Sequence, residues 1–194
     1  MSSFSIEKSN NYDKNLWEKC VSFHGHACPG LVSGFKVSRL VQEDMDIDFS
    51  QDEELVCVSE NDACGVDAIQ FITGCTLGKG NLIRRPVGKQ AYSFFDRNKN
   101  NGIRYVMDRP EELPEDRQKV MDIMLNMSPK KLFESLEPHY SLPEEAQIFE
   151  TVECESCGEG AAEFAVRFQA GNKVCLDCYE SYSRVHRENL RENS

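Results

Sequence analysis

The sequence predicts an α+β protein, with a mixed helix and sheet core and an auxiliary module built on cysteines at its C-terminus. Two observations carry this prediction. Up to residue 145, helix, strand and helix patterns follow one another before the first hairpin, which is typical of a mixed layered core. A stretch with prolines and acidic residues at 138–150 then precedes four cysteines in two close pairs. We therefore expect a core domain over residues 1–145 and a separate module over 146–194.

The composition argues against several classes of protein. With a net charge of −11, the chain lacks the basic surface that a general nucleic-acid binder or an anionic-membrane binder needs. No apolar run approaches the roughly 20 residues that cross a bilayer. Residues 1–13 are polar and predict a flexible leader without an export signal. Because nine cysteines in such a chain indicate reduced or metal-bound thiols, we expect a cytoplasmic protein.

The first predicted elements are two helices joined by a short segment that carries histidine and cysteine. Apolar residues recur at helical spacing from Leu16 to Phe23 and again from Pro29 to Met45. Proline is favoured at the first helical position, so the second helix places Cys28 at its N-cap. The small Gly34 on one side of that helix permits close packing against a neighbour.

A buried strand and a third helix follow. The valine-rich residues 54–60 predict the strand, and the next helix ends at Gly74 with Asn61 or Asp62 as its N-cap. A glycine-rich loop, 74–80, comes after that helix. Further along, residues 91–95 and 103–107 flank an Asn-Gly turn signal and predict a hairpin. The remaining expected core elements are a strand over 82–87, a helix over 115–127 and a helical turn from Ser128 through Leu136.

The segment between the first two helices is a candidate site. His24, His26 and Cys28 alternate, so their side chains face one way in an extended chain. The N-terminus of the second helix would stabilise a thiolate at Cys28. Two imidazoles and a thiolate suit Zn²⁺, Ni²⁺ or Fe²⁺, and spacing does not choose among these ions. The same residues also suit an enzyme in which Cys28 is a nucleophile or redox thiol and a histidine moves protons.

Four residues around the third helix are candidates to complete this site. Cys64 and Asp67 lie at its start, and Cys75 follows its end. Lys79 lies between two glycines, where backbone N–H groups and the ammonium can bind a small anion such as a carboxylate or phosphate. For Cys64 and Cys75, an inert buried thiol is the alternative. The glycine spacing differs from that of a P-loop.

The strongest motif lies in the C-terminal module. Cys154 and Cys157 form one Cys-x-x-Cys pair, and Cys175 and Cys178 form another after 17 intervening residues. Four thiolates in two such turns predict a tetrahedral Zn²⁺ site, closed to catalysis. With a hairpin between the pairs and a helix over 179–189, the module resembles a treble-clef zinc finger. Its near balance of charge favours a structural or protein-contacting role over nucleic-acid binding.

Several motifs in one order resemble the FmdE family, which is named after a component of formylmethanofuran dehydrogenase. The resemblance covers about residues 14–140. Some members of that family also carry a C-terminal treble-clef finger. The motifs are Phe23-His-Gly-His-Ala-Cys-Pro-Gly-Leu31, Cys64-Gly-Val-Asp-Ala-Ile-Gln70, Gly74-Cys-Thr-Leu-Gly-Lys-Gly-Asn-Leu82 and Gly88-Lys-Gln-Ala-Tyr92.

The resemblance implies an α+β core that is often dimeric. It also implies association with the molybdenum or tungsten enzyme that interconverts CO₂ and formylmethanofuran in methanogenesis. The family's motif residues fall here on His24, His26, Cys28, Cys64, Asp67, Cys75 and Lys79. We therefore expect a metal-binding accessory protein that forms a homodimer, with structural Zn²⁺ in the finger and a second transition metal or a small anionic ligand in the core.

Two other functions stay open at this point. One is a stand-alone enzyme in which Cys28, His24 and Lys79 are catalytic. The other is a protein-interaction scaffold whose zinc is purely structural. The sequence shows no molybdopterin-binding or iron–sulfur spacing, so redox catalysis on CO₂ by this chain alone is not expected.

Overall fold

The structure, a computed structural model, describes residues 12–108, 110 and 112–182. The chain divides into two units, Met1–Ala146 and Gln147–Ser194. The leader predicted over residues 1–13 lies outside the described residues except for its last two. No helix in the described part of the chain is both long and apolar enough to cross a membrane.

Five helices form among the described residues of the first unit. They are α1 (Lys14–His24), α2 (Pro29–Met45), α3 (Gly65–Thr73), α4 (Arg117–Asn126) and α5 (Pro129–Leu132). Asp13 begins α1 by accepting a hydrogen bond from the backbone N–H of Leu16, and Asp116 caps α4 in the same way. Gly74 ends α3 with a φ of 75°, in the left-handed region where glycine is favoured. The predicted α+β class is confirmed.

A five-stranded mixed sheet carries these helices on one face. Its strands are β1 (Leu55–Ser59), β2 (Leu82–Arg84), β3 (Ala91–Asp96), β4 (Asn101–Met107) and β5 (Phe133–Leu136). The order across the sheet is β2-β1-β3-β4-β5, and only β1 and β2 run parallel. The main core lies between the sheet and the helices. Its largest fully buried side chains include Phe35, Leu31, Leu40, Tyr92, Phe94 and Tyr105.

The central strand β1 is buried on both faces, which explains its continuous apolar run. Leu55 and Cys57 face the helices, whereas Val56 and Val58 belong to a smaller cluster on the opposite face. Tyr140 packs against that second cluster. The parallel pairing brings the carboxyl ends of β1 and β2 to one edge of the sheet, and α3 begins close after β1. This edge of the sheet therefore positions Cys64, which directly precedes α3.

Three local predictions differ from the structure. The hairpin loop is formed by residues 97–100, with Asn100 at a φ of 49°. Gly102 lies within β4 opposite Phe95, where a Cβ would come within 2.5 Å of the Phe95 ring. Residues 133–136 form strand β5, which pairs with β4, and do not continue the helical turn. Cys64 is the N-cap of α3, so neither Asn61 nor Asp62 holds that position.

The described part of the second unit, residues 147–182, contains two short antiparallel strand pairs. β6 (Thr151–Glu153) pairs with β7 (Gly160–Ala162), and β8 (Val166–Gln169) pairs with β9 (Asn172–Cys175). A 3₁₀ turn, Glu163–Ala165, interrupts the strand predicted from 162 to 168. Of the helix predicted over 179–189, residues 179–182 are not helical and the rest lies outside the described residues.

A buried lysine on α2 gives the first unit a pH-dependent stability. Lys36 is 3% exposed, and its ammonium donates to the carbonyls of Leu125 (2.7 Å) and Met127 (2.8 Å) at the end of α4. Burial lowers the pKa of Lys36 from 10.5 to about 8. Between these two values the unfolded chain binds more protons than the folded chain, so the free energy of unfolding rises with pH.

We expect the wild type to gain roughly 2 kcal/mol relative to Lys36→Met between about pH 7 and about pH 10. Urea unfolding of both proteins at the two pH values measures the difference. Comparison with the variant cancels the pH effects of every other group. An identical pH response of the two proteins would contradict the prediction.

Candidate metal centres

Four side chains converge in the first unit, three from helix ends and one from the segment between α1 and α2. His24, His26, Cys28 and Cys64 each offer one ligand atom, and these atoms all lie within 4.8 Å of one another. His24 is the last residue of α1, Cys28 is the N-cap of α2 and Cys64 is the N-cap of α3. His26 lies in the segment between α1 and α2. The structure thus brings Cys64 together with the three residues of the His-x-His-x-Cys segment.

Glycines allow α2 and α3 to approach closely enough for this convergence. A Cβ at Gly34 would lie 1.9 Å from the carbonyl oxygen of Gly65, and a Cβ at Gly65 would lie 3.0 Å from that of Gly30. A Cβ at Gly30 would lie 3.3 Å from the Cβ of Cys64. Sequence reasoning identified Gly34 but missed Gly30 and Gly65. Each of these two glycines lies within two residues of a candidate cysteine, at a predicted helix start, and this position could have indicated a close helix contact.

Asp67 holds the His24 ring in an orientation that suits a metal ligand. Its carboxylate accepts a hydrogen bond of 2.7 Å from Nδ1 of His24, which leaves Nε2 with the free lone pair. That Nε2 atom is buried and has no hydrogen-bond partner among the described residues. A carboxylate bound to the far nitrogen of a histidine ligand is the usual arrangement at metal sites. The orphaned nitrogen therefore fits a bound cation.

The two thiols of the cluster are placed at helix N-termini. Cys28 is 4% exposed, and its Sγ accepts a hydrogen bond of 3.3 Å from the backbone N–H of Leu31. Burial raises the pKa of the Cys64 thiol, and its hydrogen bond with Cys28 raises it further. Cys64 makes no hydrogen bond to its own helix through its side chain, so its sulfur is free to bind a metal ion. Two thiols in contact can bind one cation when it displaces their protons.

Cys75 and Lys79 do not join this cluster. They follow the C-terminus of α3, whereas Cys64 precedes its N-terminus, and nine helical residues span roughly 14 Å. Cys75 is fully buried, its Sγ donates to the carbonyl of Leu55 at 3.4 Å, and burial raises its pKa to about 12. Lys79 donates to the carbonyl of Ser50 at 2.7 Å. The glycine loop expected to bind an anion is thus held by contacts within the fold.

A second cluster lies in the C-terminal unit. Cys154, Cys157, Cys175 and Cys178 each offer a sulfur, and the four sulfurs lie within 4.8 Å of one another. Backbone N–H groups of Cys157 and Cys175 lower the pKa of Cys154 to about 6, which favours its thiolate. Among the described residues of this unit, only Cys154 and Val174 are buried. Because residues 147–182 contain almost no apolar core, the four converging thiols fit a metal ion that takes the place of such a core.

The hydrogen bond from His24 leads to a prediction for Asp67→Ala. Removing the carboxylate frees the imidazole to rotate and to change tautomer, so we expect the core site to bind Zn²⁺ roughly 10- to 100-fold more weakly. Competition with a chromogenic chelator measures the affinity. Asp62→Ala is the matched control, because Asp62 is exposed and its carboxylate pairs with Arg84. Equal Zn²⁺ affinities for the two variants would contradict the prediction.

Comparison with known proteins identifies a family model that matches most of the first unit. Residues 23–145 match the family model described as "FmdE, Molybdenum formylmethanofuran dehydrogenase operon". A curated protein of Archaeoglobus fulgidus, named "Probable S-adenosyl-L-methionine-binding protein", is 29% identical over 214 residues. That alignment covers 93% of this chain but 57% of the relative, so the chain spans little more than half the relative's length.

A solved structure agrees with the family match. The crystal structure of an FmdE-like protein from Syntrophus aciditrophicus, described as related to a tungsten formylmethanofuran dehydrogenase, superposes with a TM-score of 0.63. The superposition covers 92% of this chain and 96% of the other, at 23% sequence identity, which shows a shared fold. The family match includes the candidate residues of all three helix ends. Since the matched residues make up more than half of the sequence, the chain belongs to the FmdE family.

Proposed function

We propose that the chain is a metal-binding accessory protein whose core site holds one divalent transition metal ion. His24, His26, Cys28 and Cys64 would be its ligands, and Asp67 would orient His24. Zn²⁺ is the first candidate because two imidazoles and two thiolates form a tetrahedral set that this ion favours. When bound, the ion would supply Lewis acidity and would tie three helix ends together. The observation that carries the proposal is the buried Nε2 of His24, which has no hydrogen-bond partner in the described part of the chain and lies beside two thiols.

Metal analysis of purified protein tests this proposal. We expect two equivalents of zinc in the wild type, one in Cys28→Ala and one in a Cys154→Ala, Cys157→Ala double variant. Cys20→Ala is the matched control, because Cys20 is a buried thiol on α1 outside both clusters. The control should retain two equivalents. A stoichiometry that Cys28→Ala leaves unchanged would overturn binding at the core.

The C-terminal unit would hold a structural Zn²⁺ and present a surface for assembly. Its exposed aromatic side chains support a protein-contacting role, since Phe164, Phe168 and Tyr182 are 59%, 74% and 85% exposed. The partner suggested by the family name is a molybdenum or tungsten dehydrogenase complex. Co-purification with such a complex, lost in a Phe164→Ser, Phe168→Ser variant, would support this partner. Retention by the variant would assign the contact to another surface.

A homodimer is also part of the proposal. Phe23, Leu77 and Val87 of the first unit are each about half exposed, and apolar side chains of this kind are frequent at interfaces between protein chains. Sedimentation equilibrium would give twice the chain mass of 22.1 kDa for a dimer. A single species at the chain mass would reject it.

Catalysis by Cys28 as a free nucleophile receives less support than metal binding. At 4% exposure the thiol has little access to a substrate, and Lys79 lies at the far end of α3. Labelling with a thiol-reactive probe separates the two functions. A metal ligand should label only after chelation of the metal, whereas a nucleophile should label rapidly in the metal-loaded protein.

Binding of S-adenosyl-L-methionine is a second candidate function, favoured by the name of a relative that aligns with 93% of this chain. Equilibrium dialysis with labelled S-adenosyl-L-methionine tests it directly. Saturable uptake of one equivalent would support the function here. No uptake at millimolar concentration would reject it for this chain.

A further inference from the structure

We propose that His26 is the exchangeable ligand of the core metal site, which leaves the ion to admit an external donor while the other three ligands stay in place. The proposal rests on the proposed function, because it requires a metal ion at this cluster. The four ligands differ in how firmly contacts within the fold hold them in place.

Three of the ligands are fixed by contacts outside the cluster. His24 has a side chain that is only 10% exposed, and the carboxylate of Asp67 holds its ring. Cys28 is buried at the start of a long helix, and the backbone N–H of Leu31 points at its sulfur. Cys64 begins α3, whose position is set by the close glycine contacts with α2. His24 and Cys28 would lose these hydrogen bonds if their side chains left the ion, and the packing of α3 on α2 holds the backbone of Cys64 beside it.

His26 has no comparable support. It lies in the segment between two helices, directly after Gly25, whose φ of 94° ends α1. The residue is exposed, and a Cβ at Gly25 would have no atom within 4 Å, so there is open space beside this segment. Within the described part of the chain, its ring makes no hydrogen bond and only stacks on His24, with centroids 4.5 Å apart. A metal ion would therefore be the main anchor of this imidazole.

The exchange is a simple substitution at the metal. The bond from His26 breaks, a bond to an external donor forms, and the imidazole moves into solvent without any change of oxidation state. The ligands that remain are two thiolates and one imidazole, a set found at open catalytic zinc sites. Two thiolates already balance a divalent ion, and Asp67 adds negative charge beside it. A small neutral oxygen or nitrogen donor therefore fits this position better than an anion does.

Cobalt substitution tests the proposal, because the visible spectrum of Co²⁺ reports the number and type of its ligands. Each protein is loaded with Co²⁺, and the spectrum of Cys28→Ala is subtracted to remove the cobalt of the second cluster. We expect His26→Ala to retain core Co²⁺ with at most a tenfold loss of affinity and an altered spectrum. Free imidazole should then restore the spectrum of the wild type. His24→Ala should lose core Co²⁺ more than 100-fold, and imidazole should not restore it.

The outcomes distinguish this proposal from the proposed function. No core cobalt signal in the wild type would overturn the metal site itself. A core signal that His26→Ala and His24→Ala abolish equally would overturn the exchange while leaving the metal site intact. Failure of imidazole to change the spectrum of His26→Ala, or equal rescue of both variants, would overturn it as well.

Discussion

Gly34→Ala is expected to destabilise the first unit by about 3 kcal/mol and to weaken metal binding at the core site. A Cβ at this position would lie 1.9 Å from the carbonyl oxygen of Gly65 and 2.6 Å from its carbonyl carbon and Cα. These are backbone atoms, so no rotamer change can relieve the overlap. Helices α2 and α3 would have to separate, and this movement would carry Cys64 away from Cys28.

The expected loss of stability has the opposite sign to the usual effect of this substitution in a helix. Replacing glycine by alanine inside a helix usually stabilises it, by about 1 kcal/mol. Urea unfolding of the metal-free protein measures stability, and chelator competition measures Zn²⁺ affinity, for which we expect a loss of roughly tenfold or more. Gly78→Ala is the matched control, because a Cβ there would meet no atom within 4 Å. A Gly34→Ala protein as stable as the wild type would contradict the prediction.

The elements next to the site could be predicted because local rules govern them. Pro29 starts α2 at the expected residue and places Cys28 at its N-cap. Gly74 ends α3 in the expected left-handed conformation. These features depend on residues within one helical turn, which is the range over which sequence patterns are informative. Residues 101–102 show the limit, since this Asn-Gly pair lies in β4, where Gly102 pairs with Phe95 of the neighbouring strand, and not in the turn.

The composition of the site depended on contacts distant in sequence. Cys64 and Cys75 flank the same helix and were equally good candidates from their spacing, but only Cys64 lies at the end that meets Cys28 at the start of α2. Gly34 and Gly65 set this orientation by contact between residues 31 positions apart. Lys79 had the composition of an anion site, yet Ser50 accepts its hydrogen bond. No local pattern distinguishes such a structural lysine from a ligand-binding one.

A buried ion pair leads to the second large effect, which is expected for Glu60→Gln. Glu60 and Arg104 have side chains that are 1% and 4% exposed, joined by two hydrogen bonds of 2.6 and 2.9 Å. The hydrogen bonds from Arg104 lower the pKa of Glu60. The ionised Glu60 carboxylate therefore stabilises the fold fully at neutral pH, and this contribution is lost as the pH falls through the lowered pKa of Glu60. Glutamine would leave the guanidinium buried without a counter-charge, so we expect a loss of about 3 to 5 kcal/mol at neutral pH.

A double variant separates the destabilisation caused by one unpaired buried charge from the net contribution of the ion pair to the free energy of unfolding. Glu60→Leu with Arg104→Met removes both buried charges, and such replacements often restore most of the stability that a single substitution loses. We therefore expect the double variant to unfold at a higher urea concentration than Glu60→Gln. Asp62→Asn is the control, because its pair with Arg84 is 65% and 47% exposed and should contribute under about 0.5 kcal/mol. Since Glu60 immediately precedes the loop that leads to Cys64, a double variant that folds but binds Zn²⁺ weakly would show that this pair also positions the site.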